Sequence, residues 1–292
     1  MKVLLFLAVL STACGWCEAT NTYLISFHRP DAVVIVDEAG SVLWKAEEPL
    51  VHPQDCAVTA TGDILCSEKT GVVALGLDQS VKWRYTVPEG AENPIAYPLG
   101  PDRFLIAVEG PTQLLEINSK GDILKTIQLS TSATEQAHGQ IRGARKTKDG
   151  TYLVAFYREG AIREYNEKGE VVRDFGSGLK GAIGIARLGN GNTLLAKVDM
   201  IWEVDSDDHV VWDFVVSRDT TFGKAKLGGV AKLKNGNVMT KFYTSSKKVP
   251  TLIEIAPDKS IVREISVPGY VKAGHFQILT EDFKPSPDVV VR

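Results

Sequence analysis

A four-strand pattern recurs along this chain with a period of about 40 residues and no helix inside it, and few folds accept such a repeat. The pattern is plainest from Gly181 to Phe214, GAIGIARLGNGNTLLAKVDMIWEVDSDDHVVWDF. It predicts short strands at Ala182–Leu188, Thr193–Val198, Ile201–Val204 and Val210–Phe214. Asn190-Gly191, between the first two, fits a type I′ hairpin, which demands positive φ at both central positions. A tighter polar turn at Asp205–Asp208 parts the last two. Such a unit leaves two apolar faces bare, so it needs neighbours of its own kind.

The turn between third and fourth strands can be followed through the chain at Asp37, Asp78, Asn118, Asn166, Asp205 and Pro257. Five of the six open on Asp or Asn, whose side chain can bond the backbone two residues on. The first hairpin also repeats, at Thr61-Gly62, Asp149-Gly150, Asn190-Gly191 and Asn235-Gly236. The repeat predicts an all-β fold, a six-bladed β-propeller of four-stranded blades, spanning residues 20–292 as one domain. The ends explain closure. Tyr23 opens on a second-strand pattern (YLISFH) with no first strand before it, and His275–Thr280 (HFQILT) is a first strand with no successor. Joined, they make one blade shared between the termini, which pairs both edges. Irregular periods leave seven blades as the alternative count, with Ser130–Gln136 as the ambiguous insertion.

Residues 1–19 read as a signal peptide: Lys2 carries the charge, Val3–Leu10 is an apolar core too short to span a bilayer, and small residues follow. Cleavage after Ala19 gives a periplasmic or secreted protein. Ser11–Cys14 offers the other cut, a degenerate lipoprotein signal ending before Cys14, and a lipid there would be the chain's one membrane attachment. The net charge of −3 with both signs interspersed argues against a nucleic-acid partner. Neither a G-x-S-x-G elbow, a P-loop nor a G-x-G-x-x-G before a helix occurs. A monomer is expected.

The motif D-x-x-G-x-V-x-W of VDEAGSVLW, with NGNTLLA preceding IWEVDSDDHVVWDF, resembles the quinoprotein-like (PQQ-like repeat) and arylsulfotransferase-like propellers secreted by bacteria. The likeness runs through every repeat and speaks to architecture. Quinone-dependent members are usually larger, with a fuller tryptophan motif and often a vicinal cysteine pair. Here only Trp44, Trp83 and Trp212 follow the motif and no cysteines adjoin, so no cofactor, pyrroloquinoline quinone included, is expected. Likeness to the sulfotransferases implies histidines over the channel. The three tryptophans share one repeat phase, which suits blade-to-blade packing.

First strands of a propeller line its channel, and their entry loops share a face with the ends of the second strands. Registering the repeats places Cys56, Ile95, Arg142, Ile183, Gly228 and His275 at one depth, with His52 and His138 four residues earlier in entry loops. His28, Glu68 and Glu109 end second strands on that face. The chain has five histidines, so this clustering predicts a ring of His28, His52, His138, His275, Arg142, Glu68 and Glu109 at one channel mouth. His209, in an outer turn, faces solvent. Imidazoles suit acid–base work or nucleophilic attack. The ring equally suits a solvated mouth. A metal is not expected, because the entry-loop histidines belong to blades too far apart.

Two functions follow from this ring. One is an extracytoplasmic propeller binding a small anionic or polyhydroxylated ligand, through Arg142, His28, Glu68 and Glu109, or a partner protein of the envelope. The other is a propeller enzyme, a hydrolase or sulfuryl transferase, with His52, His138 or His275 as nucleophile or base and Arg142 holding an anionic group. A structural module of an envelope complex is the third reading. Convergence of three or more side chains on one deep pocket favours the enzyme; a broad rim favours binding. Cys56 and Cys66 form a disulfide if the turn between them has its centre at residue 61, and point to opposite faces if the register is shifted by one.

Overall fold

The computed structural model describes residues 21–291 apart from 49 and 177. The signal peptide, both cleavage readings and Cys14 therefore lie outside the described residues. The repeat folds as a six-bladed β-propeller, each blade an antiparallel sheet with its first strand innermost. The strands of the reference unit are Ala182–Arg187, Thr193–Lys197, Met200–Val204 and Val210–Val215. Blade one is the shared one: Val271–Leu279 is its inner strand, followed outward by Thr22–Arg29, Asp31–Val36 and Val42–Ala46. The Ser130–Gln136 stretch adds no strand, so the count is six and not seven. Among the described residues the helix content is one short turn, Val216–Asp219.

The core is divided. Six buried hydrophobic clusters lie one between each adjacent pair of blades, for example Leu24, Val33 and Ile35 of blade one against Ile64, Val73 and Leu75 of blade two. Second and third strands are covered on both faces, so ILCSE (64–68) and GVVAL (71–75) are buried throughout. Fourth strands alternate because one face meets solvent, as in VKWRYT. The tryptophans join blades: Trp44 Nε1 donates to the Leu77 carbonyl of the next blade (2.8 Å), and Trp212 Nε1 to that of Pro257 (2.9 Å). Trp83 packs on Phe104, 4.9 Å between ring centroids.

The turns are more uniform than their sequences. At Thr59–Asp63, Thr147–Thr151, Leu188–Asn192, Leu233–Asn237 and Thr280–Lys284 the first N–H bonds the fifth carbonyl, and the fourth N–H bonds the first carbonyl. Only the fourth residue is left-handed; Gly191 has φ +91° while Asn190 stays at negative φ. The Asn-Gly hairpin is therefore a three-residue loop closed by a glycine bulge, and not type I′. The outer turns follow the same bonding at Asp37, Gly76, Asn118, Asn166, Asp205 and Ala256. Asp78 and Pro257 are thus out of phase with the repeat by two residues and one. Asp78 attracts the eye because it caps Ser80, but Gly76 starts the turn.

Thr61 is the middle of its loop, and the resulting register sets Cys56 opposite Cys66. Both are buried thiols within the cluster between blades one and two. After Leu279 the chain turns beneath the channel, and Val289–Val291 adds a fifth strand to blade six along Lys226–Leu233.

Candidate functional site

The mouth is shaped by β-bulges. In blades four, five and six the inner strand carries extra residues against the second strand: Arg142, Ile183 and the pair Gly228-Gly229. In blade one, Gly274 and His275 together oppose Ser26. A bulge re-aims its side chain, here into the channel. Arg142, Ile183, Gly228 and His275 each stand seven residues before the middle of their hairpin loop, as expected for one depth. In blade two that position is Gln54, not Cys56, because its loop is centred on Thr61. Cys56 belongs to the blade interface, and Gln54 and Asp55 face the channel.

The entry loops and bulges enclose a cavity of about 730 Å³ at this mouth. His28, Glu109, Arg142 and His275 line its depth, and His52 and His138 stand on its rim with side chains 59% and 66% exposed. Glu68 does not join them. It is buried beside the mouth, accepting from the Val51 N–H (3.0 Å) and paired with Arg84. Desolvation pushes its carboxyl up, against the Val51 bond and Arg84.

Glu109 is 1% exposed and anchors one wall. It accepts from the Ile141 N–H (2.7 Å), the Gly139 N–H (3.3 Å) and Arg142 Nη1 (2.8 Å). Burial nevertheless holds its carboxyl above the usual range. Arg142 Nη2 lies 3.3 Å from His138 Nε2, and His138 Nδ1 is 2.7 Å from Glu92 Oε2. Burial raises the Glu92 carboxyl, but His138 and Lys69 together bring it below its ordinary value. Ligand atoms of Glu92, Glu109 and His138 come within 4.8 Å of one another, a geometry that could hold a metal ion. The Arg142 guanidinium fills the same corner, so a cation there would have to displace it.

On the channel floor Arg145 Nη1 bonds Asp55 Oδ2 (3.0 Å), and its Nη2 lies 3.1 Å from His275 Nε2. His275 Nδ1 donates to the Phe276 carbonyl (2.9 Å) and lies 3.5 Å from Asp55 Oδ1, while its Nε2 faces the Arg145 guanidinium. Both ring nitrogens are thereby engaged. The Arg145 guanidinium also lies over Tyr97, 4.7 Å from its ring centroid.

The opposite wall belongs to blades one and six. The His28 imidazole is pushed down to about 4, by burial first and then by repulsion from Lys241. Its Nε2 is buried with no hydrogen-bond partner among the described residues, and its Nδ1 lies 3.4 Å from the Tyr243 hydroxyl. Lys241 is 3% exposed and its Nζ donates to the Ala273 carbonyl (2.7 Å). Burial alone lowers its ammonium to about 7.

Sequence reasoning missed Asp55, Glu92, Arg145 and Tyr243. Asp55 and Arg145 were readable in principle, as charges inside inner-strand patterns. Glu92 sits in a connection with no counterpart in other repeats. His209 is exposed in its outer turn, as expected.

No protein-family model matches the chain, and no curated protein matches it. Among solved structures, a Bacteroides caccae protein of unknown function matches over 89% of this chain and 99% of its own, with TM-score 0.78 and 22% identity. A streptogramin B lyase matches over 84% and 82% at TM-score 0.61 and 12% identity. Virginiamycin B lyase from Staphylococcus aureus matches over 84% of each chain at TM-score 0.59 and 14% identity. At these identities the likeness shows the fold, a β-propeller, which host proteins use for unrelated tasks. The quinoprotein-like or arylsulfotransferase-like grouping rests on the repeat motif alone.

Proposed function

We propose that the channel mouth takes up a small anionic organic molecule. Charge carries this reading. Lys69, Arg142, Arg158, Lys180 and Lys226 line the cavity against only Asp55, Glu92 and Glu109, in a chain whose net charge is −3. Lys180 and Lys226 form no ion pair among the described residues, so part of that surplus is uncommitted. An apolar ligand would leave these groups desolvated and unpaired. The export expected from residues 1–19 would place the site outside the cytoplasm.

A thermal-shift screen of organic acids against neutral analogues tests the reading. Arg142→Ala should then weaken binding by about 1.5–3 kcal/mol, and Lys247→Ala, at an outer loop, should leave it unchanged. Equal affinities for the two variants remove the mouth as the site.

Convergence in one pocket supports a second reading, that the ligand is transformed there. Two of the fold neighbours are lyases, at identities that carry no activity across. On this reading His138→Ala abolishes turnover, whereas for a binding module it only lowers affinity.

A further inference from the structure

Lys241 is the group that the anion-binding reading leaves without a task. Its amine is buried on the wall of the ligand cavity, and among the described residues no carboxylate pairs with it within 4 Å. Its one acceptor is a backbone carbonyl. The neighbouring strand is cut away to admit it: a Cβ on Gly228 would lie 1.7 Å from Lys241 Cε and 2.2 Å from Nζ. A structural lysine would be expected to reach solvent or a carboxylate, because an uncompensated buried ammonium is costly. On the same wall the His28 Nε2 is buried and unpartnered. In the tautomer where the Tyr243 hydroxyl donates to Nδ1, Nε2 carries a hydrogen that has no acceptor among the described residues.

We propose that Lys241 is a nucleophile that condenses with the carbonyl group of a 2-oxo acid, with the carboxylate of that ligand held by the cationic side of the same cavity. The proposal rests on the anion-binding reading and names its substrate class. The amine nitrogen bonds the carbonyl carbon and the C=O π pair moves to oxygen, where the His28 Nε2–H donates. The resulting carbinolamine loses its oxygen as water, carrying off the two amine hydrogens, and a C=N bond remains. No oxidant or further reactant enters. A desolvated amine lowered to about 7 is unprotonated in a substantial fraction of molecules at neutral pH, the form that attacks. Lys272, with its Nζ 5.6 Å from the Tyr243 ring centroid, adds positive charge nearby.

The test is reductive trapping on the full chain. The protein is incubated with pyruvate and cyanoborohydride at neutral pH, and modified lysines are mapped by peptide mass spectrometry. Thermal shift with pyruvate and with lactate, which lacks the carbonyl, is read in parallel. The expected result is stabilisation by both acids and modification of Lys241 about tenfold or more above the exposed Lys247 and Lys248. It should be lost in Lys241→Met, and that variant should still be stabilised by lactate. Stabilisation by both acids with Lys241 unmodified overturns the nucleophile and leaves the anion site standing. Absence of both stabilisation and Lys241 modification overturns the two together. Modification of Lys241 by propanal but not by pyruvate keeps the amine and overturns the acid specificity.

Discussion

The channel has a cavity at each end, of about 730 Å³ at the charged mouth and about 670 Å³ at the other. The two are nearly equal in size and unlike in chemistry. The second is lined by residues such as Ala57, Val58, Tyr97, Ala231 and Ile278, and among the described residues Lys284 is its one charged lining residue. The tail from Lys284 to Val290 forms part of it. The same inner strands serve both ends, so the difference comes from what joins them. At the lower end five hairpins share one loop geometry, and there is little room for variation. At the upper end the entry connections differ in length from blade to blade, and bulges turn individual side chains inward. Uniform loops hold the ring, and irregular ones carry the chemistry.

The strongest attempt to break this contrast removes the floor together with the closing strand. Deleting Gly274–Arg292 takes most of the inner strand from blade one and exposes the Thr22–Arg29 edge. The expected outcome is an unfolded or aggregated chain by circular dichroism and size exclusion. A truncation that melts like the full chain would mean that the shared blade does not hold the ring.

Next in size is Asp55→Ala, which removes the carboxylate from buried Arg145 between the two cavities. A loss of about 3–5 kcal/mol in urea unfolding is expected. A loss under 1 kcal/mol would show that His275 and Tyr97 suffice to hold the guanidinium.

The charged mouth should also set the acid limit of the protein. His28 has its folded-state value lowered from 6.5 to about 4, so the unfolded chain binds more protons between those values. Stability from this group is present above pH 6.5, falls as pH drops through the window, and the loss is complete below about pH 4. The change amounts to about 3 kcal/mol. His28→Gln should flatten that part of the stability curve, and an unchanged slope would assign the acid sensitivity to other groups.

The smallest effect is expected from removing only Pro285–Arg292. Opening the lower cavity should cost about 1–2 kcal/mol from lost apolar cover and leave ligand affinity at the upper mouth unchanged. A change in affinity would mean that the two ends communicate.

The fold was legible because each repeat contains the same physical problem. The recurring four-strand pattern, the polar turns that punctuate it, and unmatched strands at Tyr23 and His275 together point to a ring closed by a shared blade. The site was legible only where the repeat carries it. Arg142 and His275 could be placed at one depth because they are equivalent bulge positions. Cys56 was placed there wrongly, since a shift of two residues in one hairpin is invisible without its hydrogen bonds. Glu68 was expected at the mouth from its place at a strand end, but the pairing with Arg84 and the Val51 N–H draws it aside. Glu92 and Tyr243 converge through tertiary structure, which one sequence does not display.

The shared blade also has a consequence in time. Thr22–Arg29 is synthesised before its inner neighbour Val271–Leu279, which follows about 250 residues later. Blade one is an incomplete sheet while the residues between them are made, and loop closure over about 250 residues must precede its last hydrogen bonds. Once formed, that pairing ties Thr22–Arg29 to Val271–Leu279, so that opening either strand separates both. The ring should therefore close slowly and, once closed, open slowly.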